Sequence, residues 1–268
     1  MPRTDLDGTT VLLTGATGGI GHAIARALAG RGARLILTGR RVDVLDGLAA
    51  EIDGRSVACD LSDRADVERL ATEAVAAQAG VLVANAALPA SGVFADLSQE
   101  QIDRMLEVNL RAPVALAHAL TPAMVARGGG HMVFISSLAG KTASPASSLY
   151  SATKFGLRGF ALGLREDLRG QDIGVSTVFP GFIRDAGMFA DTGLSLPRGV
   201  GTRTPHDVAT AVLRAIDSDR AELDVAPLAL RVGSAFGGLA PQLAATVSRR
   251  LGSHDIASAM AERQRDQR

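Results

Sequence analysis

The sequence predicts an α/β fold: a doubly wound, parallel, seven-stranded sheet with helices on both faces. Three observations carry that expectation. Strand-like and helix-like stretches alternate from end to end, the order that builds parallel sheets through crossover helices. The strand candidates are apolar throughout, as strands covered on both faces must be. The first of them runs into a glycine-rich turn that opens a helix.

Residues 10–14 (TVLLT) are the first expected strand, followed by that turn and a helix through Ala29. Residues 34–38 (RLILT) are the second strand and 42–52 its helix. A short third strand spans 56–59, with a helix from Arg64 to Ala77 behind it, and residues 81–84 are the fourth strand. Ser98 is an N-cap, and Gln101 completes a capping box that opens a long helix toward Ala126. The fifth strand is 132–136 (MVFIS), followed by a helix from Ser148 to Arg169. A sixth strand at 175–179 leads through an irregular stretch to a helix from Pro205 to Ile216 and a seventh strand at 223–225. No repeat or low-complexity linker divides the chain. Residues 1–226 read as one domain, and 227–268 as an apolar C-terminal extension of that domain or of a subunit interface.

At 268 residues the chain is long enough to bury a large core. Apolar residues make up 47%, aromatics 3%, and Trp is absent, which suits Ala-rich helices packed closely on aliphatic strands. The 28 basic and 28 acidic side chains cancel, leaving no electrostatic footprint for nucleic acid. A single cysteine, Cys59, rules out an internal disulfide and reads as a small buried strand residue. The N-terminus MPRTDLDG does not have the pattern of a signal peptide. The apolar stretch 225–247 is broken by Arg231 and Gln242, so no transmembrane segment is expected and a cytoplasmic protein is. None of the five histidines has Cys or acidic partners at metal-ligand spacing, so no metal site is expected.

Tyr150 is the only tyrosine, and Lys154 four residues later is one of two lysines among the 28 basic residues. A compact ammonium kept where arginine is the rule points to a task the guanidinium fork cannot perform. Residues i and i+4 share a helix face, which sets the ammonium beside the phenol. A free phenol ionises near pH 10, and a neighbouring positive charge moves it toward the range useful for acid–base chemistry. The turn Gly15-Ala16-Thr17-Gly18-Gly19-Ile20-Gly21 has the spacing T-G-x-x-x-G-x-G. Its glycines would let a pyrophosphate approach the backbone and meet the positive end of the first helix.

Together these motifs resemble the short-chain dehydrogenase/reductase family, in its standard single-domain type, over residues 8–226 and in the family's order. The resemblance implies a Rossmann fold and an oxidoreductase that moves a hydride between a nicotinamide cofactor and a carbonyl or secondary alcohol. Tyr150 is then the general acid–base group. Ser137, thirteen residues before it, binds the reacting oxygen, and Lys154 binds the ribose and depresses the tyrosine pKa. Cofactor contacts are implied at Gly15, Thr17, Gly19, Ile20 and Gly21 of the turn, and at Asp60 and Leu61 after the third strand. They are also implied at Asn85 and Ala86 after the fourth strand, at Tyr150 and Lys154, and at Pro180, Gly181 and Ile183 after the sixth. These groups cluster at carboxyl ends of strands, where open α/β sheets bind ligands. The chain departs from the family pattern twice. Ala84-Asn85-Ala86-Ala87 stands where the family has N-N-A-G, which calls a structural hydrogen bond into question, and Arg184-Asp185 differs from the threonine usual after P-G-x-I.

Asn109 lies inside the long expected helix, four residues before Pro113. Proline has no N–H, so the Asn109 carbonyl loses its helical partner and needs a water or another donor. In the family the matching asparagine holds a water that links the lysine to solvent, which completes a tetrad of Asn109, Ser137, Tyr150 and Lys154. Cofactor choice rests on Thr38-Gly39-Arg40-Arg41. A carboxylate there would bind the ribose hydroxyls of NAD(H), whereas arginine accommodates a 2′-phosphate. Arg40 is the expected phosphate contact and Arg41 is placed to stack on adenine, so NADP(H) is expected over NAD(H).

The alternative is a catalytically silent NADP(H)-binding sensor or scaffold, which would keep the fold but has no use for all four tetrad groups. The family implies a homodimer or homotetramer. The 227–268 extension is expected to be covered by its own domain or a second subunit, or to wall a pocket for a bulky apolar substrate beside residues 182–204. Pro241 and the glycines interrupt any long amphipathic helix that would lie on a membrane.

Overall fold

A computed structural model describes residues 4–89, 92–194, 196, 200–250 and 262–264. Its centre is a parallel sheet of β1 (Thr10–Thr14), β2 (Arg34–Gly39), β3 (Arg55–Ala58), β4 (Val81–Ala84), β5 (Gly130–Ile135), β6 (Ile173–Pro180) and β7 (Glu222–Val225). The strand order is β3-β2-β1-β4-β5-β6-β7. Because the order reverses between β1 and β4, the crossovers leave a crevice at the carboxyl ends of those two strands.

The helices are α1 (Gly19–Ala29), α2 (Val42–Glu51), α3 (Arg64–Ala76), α4 (Gln99–Leu106), α5 (Ala112–Arg127), α6 (Ser148–Asp167) and α7 (Pro205–Ser218). Along β1 successive side chains enter opposite cores. Leu12 joins Leu82, Met132 and Phe134 against α3, α5 and α6. Val11 and Leu13 join Val83 and Val133 against α1, α2 and α7. Burial on both faces explains why the strands read as unbroken apolar runs. The observed β5 and β6 begin two residues before the expected ones, because Gly130 pairs with Ile173 and extends the ladder beyond the apolar pattern.

Helix starts follow local chemistry. Asp63 accepts from the amides of Ala65 and Asp66 at the start of α3, and the expected Ser98–Gln101 capping box opens α4. Thr204 and Asp207 form a second box at α7, with Pro205 in the first turn. The single long helix expected from Ser98 to Ala126 is instead interrupted by a π turn, Glu107–Arg111, between α4 and α5. The Ala112 amide there bonds the carbonyl of Glu107, five residues back. Pro113 gives the physical reason: its missing amide and its ring disfavour an ordinary turn, and one extra residue widens the helix at that point.

The chain after β7 forms α8 (Leu228–Leu239) and α9 (Pro241–Arg250). Helix α8 buries small residues, Ser234 and Gly237, while Leu228, Val232, Phe236 and Leu239 are exposed, as is Leu243 of α9. Ala229, Leu230 and Gly233 on the same helix line the cavity described below. No helix among the described residues is long and apolar enough to cross a membrane.

Candidate active site

At the crevice, Thr14 closes β1 against β4. Its hydroxyl accepts from the amides of Asn85 (3.0 Å) and Ala86 (3.1 Å), while the Asn85 side-chain amide donates to the carbonyls of Thr14 and Gly15, both at 3.1 Å. Asn85 is therefore a strut between the strands. Gly15 has φ +66°, and a Cβ there would lie 2.7 Å from the Cα of Ala86, so glycine is required on both counts. Helix α1 then follows Gly18, an N-cap with no side chain, which leaves its first-turn amides without a side-chain acceptor.

Arg40 and Arg41 are exposed after β2. The Arg41 guanidinium donates to the Thr17 carbonyl and so braces the glycine-rich turn, a task the sequence did not suggest. Asp60 closes a turn by accepting from the amide (3.0 Å) and hydroxyl (2.7 Å) of Ser62. Burial pushes its carboxyl up, but those two hydrogen bonds and the charge of Arg40 outweigh burial and hold it below its ordinary value.

The end of β5 separates two adjacent serines. Ser136 donates to the Lys154 carbonyl at 3.1 Å and ties the strand to α6. Ser137 accepts from the Ala139 amide at 3.2 Å at the start of a 3₁₀ turn, Leu138–Gly140, and its hydroxyl acts on the Tyr150 phenol, favouring its ionised form. On α6, Lys154 is buried and donates from Nζ to the Ile135 carbonyl at 3.0 Å. That ammonium lies 5.7 Å from the centre of the Tyr150 ring.

The electrostatics correct one expectation. Burial pushes the Tyr150 phenol up to about 12, the Ser137 hydroxyl opposes it only in part, and Lys154 does not bring the phenol down. Burial also lowers Lys154 itself, to about 8. In a poorly solvated site each group is pushed toward its neutral form, and this outweighs their mutual influence. The phenol stays protonated at neutral pH.

Asn109 is fully buried, and its side chain brackets one residue's backbone: Oδ1 accepts from the Leu88 amide at 2.7 Å and Nδ2 donates to the Leu88 carbonyl at 3.0 Å. Its neighbour Val108 and its partner Leu88 line the cavity, but Asn109 does not. Every other expected site residue does. Gly15, Thr17, Gly19, Ile20, Gly21 and Arg40 form one end. Asp60, Leu61, Asn85 and Ala86 continue the wall to Ser137, Tyr150 and Lys154, and Pro180, Gly181 and Ile183 close the far side. The cavity measures about 2040 Å³. Pockets for a single small ligand measure about 300–1,000 Å³, so this space is large enough for a dinucleotide and a second molecule together.

Three participants escaped the sequence. Lys141 is the other lysine, and the rarity that singled out Lys154 applied to it equally. Its Nζ lies 2.6 Å from Asp224, 3.2 Å from Glu222 and 4.1 Å above the Phe179 ring, binding the turn after Ser137 to β7. Ala186 rests on the glycine-rich turn, where a Cβ on Gly19 would lie 2.3 Å from its methyl group. Gln264 joins the cavity wall from the far end of the chain. No local pattern announces either of these two.

Comparison with known proteins agrees with this arrangement. Residues 9–195 match the family model described as short chain dehydrogenase. The ketoacyl reductase HetN of Nostoc is 36% identical over 229 residues, spanning 83% of this chain and 80% of that protein. A short-chain dehydrogenase from Sphingobium yanoikuyae, solved in complex with NADPH, superposes with a TM-score of 0.77 at 30% identity, covering 88% of this chain and 95% of that one. The bulky-bulky ketone specific alcohol dehydrogenase of Comamonas testosteroni superposes with a TM-score of 0.74 at 27% identity, covering 89% and 95%. A family-model match over more than half the chain, a relative above 30% identity and the parallel sheet with its glycine-rich crevice lead to one conclusion: the chain belongs to the short-chain dehydrogenase family.

Proposed function

We propose that this protein is an NADP(H)-dependent oxidoreductase acting on a carbonyl or secondary alcohol with a bulky apolar body, with Tyr150 as its general acid–base group. One observation carries the reading: Ser137, Tyr150 and Lys154 meet at the carboxyl end of β5, on the wall of the cavity that the glycine-rich turn also lines. The cofactor end fits NADP(H). Its Gly15 position has no room for a Cβ, its helix start has no capping side chain, and an arginine rather than a carboxylate follows β2. The NADPH complex of the Sphingobium relative supports the same choice.

When bound, the cofactor supplies or accepts the hydride. The chain's own groups manage the oxygen and its proton. Tyr150, protonated at neutral pH, holds a proton for the oxygen of a ketone, and Ser137 Oγ hydrogen-bonds that oxygen. Lys154 binds the ribose hydroxyls and keeps positive charge near the phenol. The Asn109 carbonyl, facing a proline without an amide, holds a water that returns protons to Lys154. The cavity beyond Tyr150 supports the apolar substrate: Phe182 and Phe189 pack at 58° with ring centres 5.0 Å apart, and Met188, Leu230 and Phe236 share the wall.

The test is NADPH oxidation against a panel of aldehydes and ketones, from short polar to long or cyclic apolar compounds. Apolar ketones are expected to give the highest kcat/KM. Turnover confined to small polar carbonyls would remove the substrate assignment, and no turnover of any carbonyl would remove the reductase reading.

A further inference from the structure

We propose that Glu222 is a positioning residue: by holding Arg158 and Lys141 on one carboxylate, it fixes the Ser137 hydroxyl relative to the Tyr150 phenol. This deepens the proposed function and rests on it for what those two groups do to a substrate.

The contacts begin on α6. Tyr150, Lys154 and Arg158 are spaced four residues apart and follow one another along one side of the helix. The Arg158 guanidinium donates from Nε and Nη2 to the two Glu222 oxygens, at 2.5 and 3.1 Å. Glu222 Oε2 also lies 3.2 Å from Lys141 Nζ, which reaches Asp224 at 2.6 Å. Lys141 directly follows the 3₁₀ turn that Ser137 starts, and its amide donates to the Leu138 carbonyl at 2.9 Å. One carboxylate is therefore bonded to the helix of the phenol and to the turn of the serine. Strand alternation makes this possible, since Glu222 and Asp224 share one face of β7 while Leu223 and Val225 are buried on the other.

This is not an ordinary surface pair. The side chains of Glu222 and Lys141 are 23% and 13% exposed, against 51% and 48% for Arg26 and Glu51. Exposed pairs contribute little, whereas partly desolvated ones hold their geometry. Burial pushes the Glu222 carboxyl up, but the hydrogen bonds and charges of Arg158 and Lys141 outweigh it and keep the carboxyl below its ordinary value. Both cations also flank the buried Phe179 ring, Lys141 at 4.1 Å and Arg158 at 5.7 Å from its centre.

Neither Glu222 nor Arg158 lines the cavity, so Glu222 acts only through its partners. Ser136 already ties the end of β5 to α6 at the Lys154 carbonyl. A single tie leaves a pivot, and the Glu222 bridge supplies a second tie one helical turn further along α6. Catalytic groups need to be held within about 0.5 Å, and a misplacement of about 1 Å can cost about 10²-fold in rate.

The experiment uses the full chain and the best ketone of the panel, with kcat, KM and NADPH affinity measured for wild type, Glu222→Gln, Lys141→Met and the double variant. Each single change should lower kcat by about 10–100-fold and leave KM and NADPH affinity near their wild-type values. The double variant should fall no further than the worse single one, because both cut the same tie. Lys141→Arg keeps a cation between the carboxylates and should recover most of the loss. Asp219→Asn is the control for a merely structural bridge. It cuts the 2.7 Å pair with Arg165 further along α6, and should lower the melting temperature while kcat per folded molecule stays unchanged.

Tyr150 is the only tyrosine, so isotope-labelled tyrosine gives a single Cζ resonance that can be followed without turnover. That resonance should move in Glu222→Gln and Lys141→Met, in the direction set by Ser137→Ala, and stay in place in Asp219→Asn. Wild-type kcat in Glu222→Gln overturns the inference, as does an equal kcat loss in Asp219→Asn, additive losses in the double variant or an unmoved resonance. A resonance that moves in a protein turning over no carbonyl sustains the positioning role while the reductase reading fails. Turnover with kcat and resonance both unaffected does the reverse.

Discussion

Lys154 sets its ammonium 5.7 Å from the centre of the Tyr150 ring and 3.0 Å from the carbonyl oxygen of Ile135. One side chain thereby joins α6 to the carboxyl end of β5 and stands beside the only phenol in the protein. Burial acts on the pair in opposite directions, raising Tyr150 to about 12 and lowering Lys154 to about 8.

The first prediction follows from that pair. Lys154 is charged below pH of about 8 and neutral above it, so NADPH affinity and kcat should both decline as pH rises through that value. The stability of the ligand-free protein should move the other way. The folded pKa of about 8 lies below the ordinary 10.5, so the unfolded state holds more protons in that window and stability rises with pH across it. Lys154→Met should abolish both slopes. Tyr150→Phe should lower kcat by about 10²–10⁴-fold with little change in NADPH affinity. A rate that is flat through pH 8 in the wild type would contradict the assignment.

Cofactor preference should turn on Arg40. Exchanging it for aspartate replaces an attraction for the 2′-phosphate with a repulsion. Losing one charge-assisted hydrogen bond corresponds to about 10–100-fold, and the NADPH to NADH affinity ratio should fall by at least that much. Titration of both nucleotides into wild type and Arg40→Asp measures it without a substrate. Equal binding of NADH and NADPH by the wild type would refute the argument.

Gly15→Ala should damage the fold as well as the site. A left-handed residue with a side chain costs about 1–2 kcal/mol, and the Cβ would meet the backbone of Ala86, which cannot rotate away. Adding the overpacking cost gives about 2–5 kcal/mol. Thermal melts should show a fall of about 5–10 °C, with NADPH affinity lost in parallel. Gly47→Ala is the control, since a Cβ there has nothing within 4 Å.

His131 makes stability sensitive to acid. It is buried on β5, 2.9 Å from Ser176 Oγ on β6, and burial lowers its pKa from 6.5 to about 4. Between those values the unfolded chain binds a proton that the folded one refuses, so stability falls as pH drops through that window, by about 3 kcal/mol in full. Denaturant melts at neutral and mildly acidic pH should show this slope, and His131→Gln should be less stable at neutrality but flatter in acid. Parallel slopes for both proteins would assign the acid sensitivity to other groups.

The sequence by itself determined the sheet and most of the cavity wall. Strand alternation, the glycine spacing and the tyrosine–lysine pair depend on chemistry within a few residues, and local chemistry can be read locally. Even the break at Asn109 was foreshadowed by Pro113, although its form, a π turn, was not. Tertiary structure alone decided where the remaining polar atoms found partners. Thr14 supplies the β1–β4 hydrogen bonds that the altered Ala84-Asn85-Ala86-Ala87 motif had called into question, from seventy-one residues away. Lys141 looked as informative as Lys154, yet its position over Phe179 between Asp224 and Glu222 places it in a brace. The phenol's pKa went against the local argument because desolvation depends on everything packed around a group, while i,i+4 spacing reports only one neighbour. Gln264 reaches the Met188 carbonyl across seventy-six residues, a contact that only the folded chain creates.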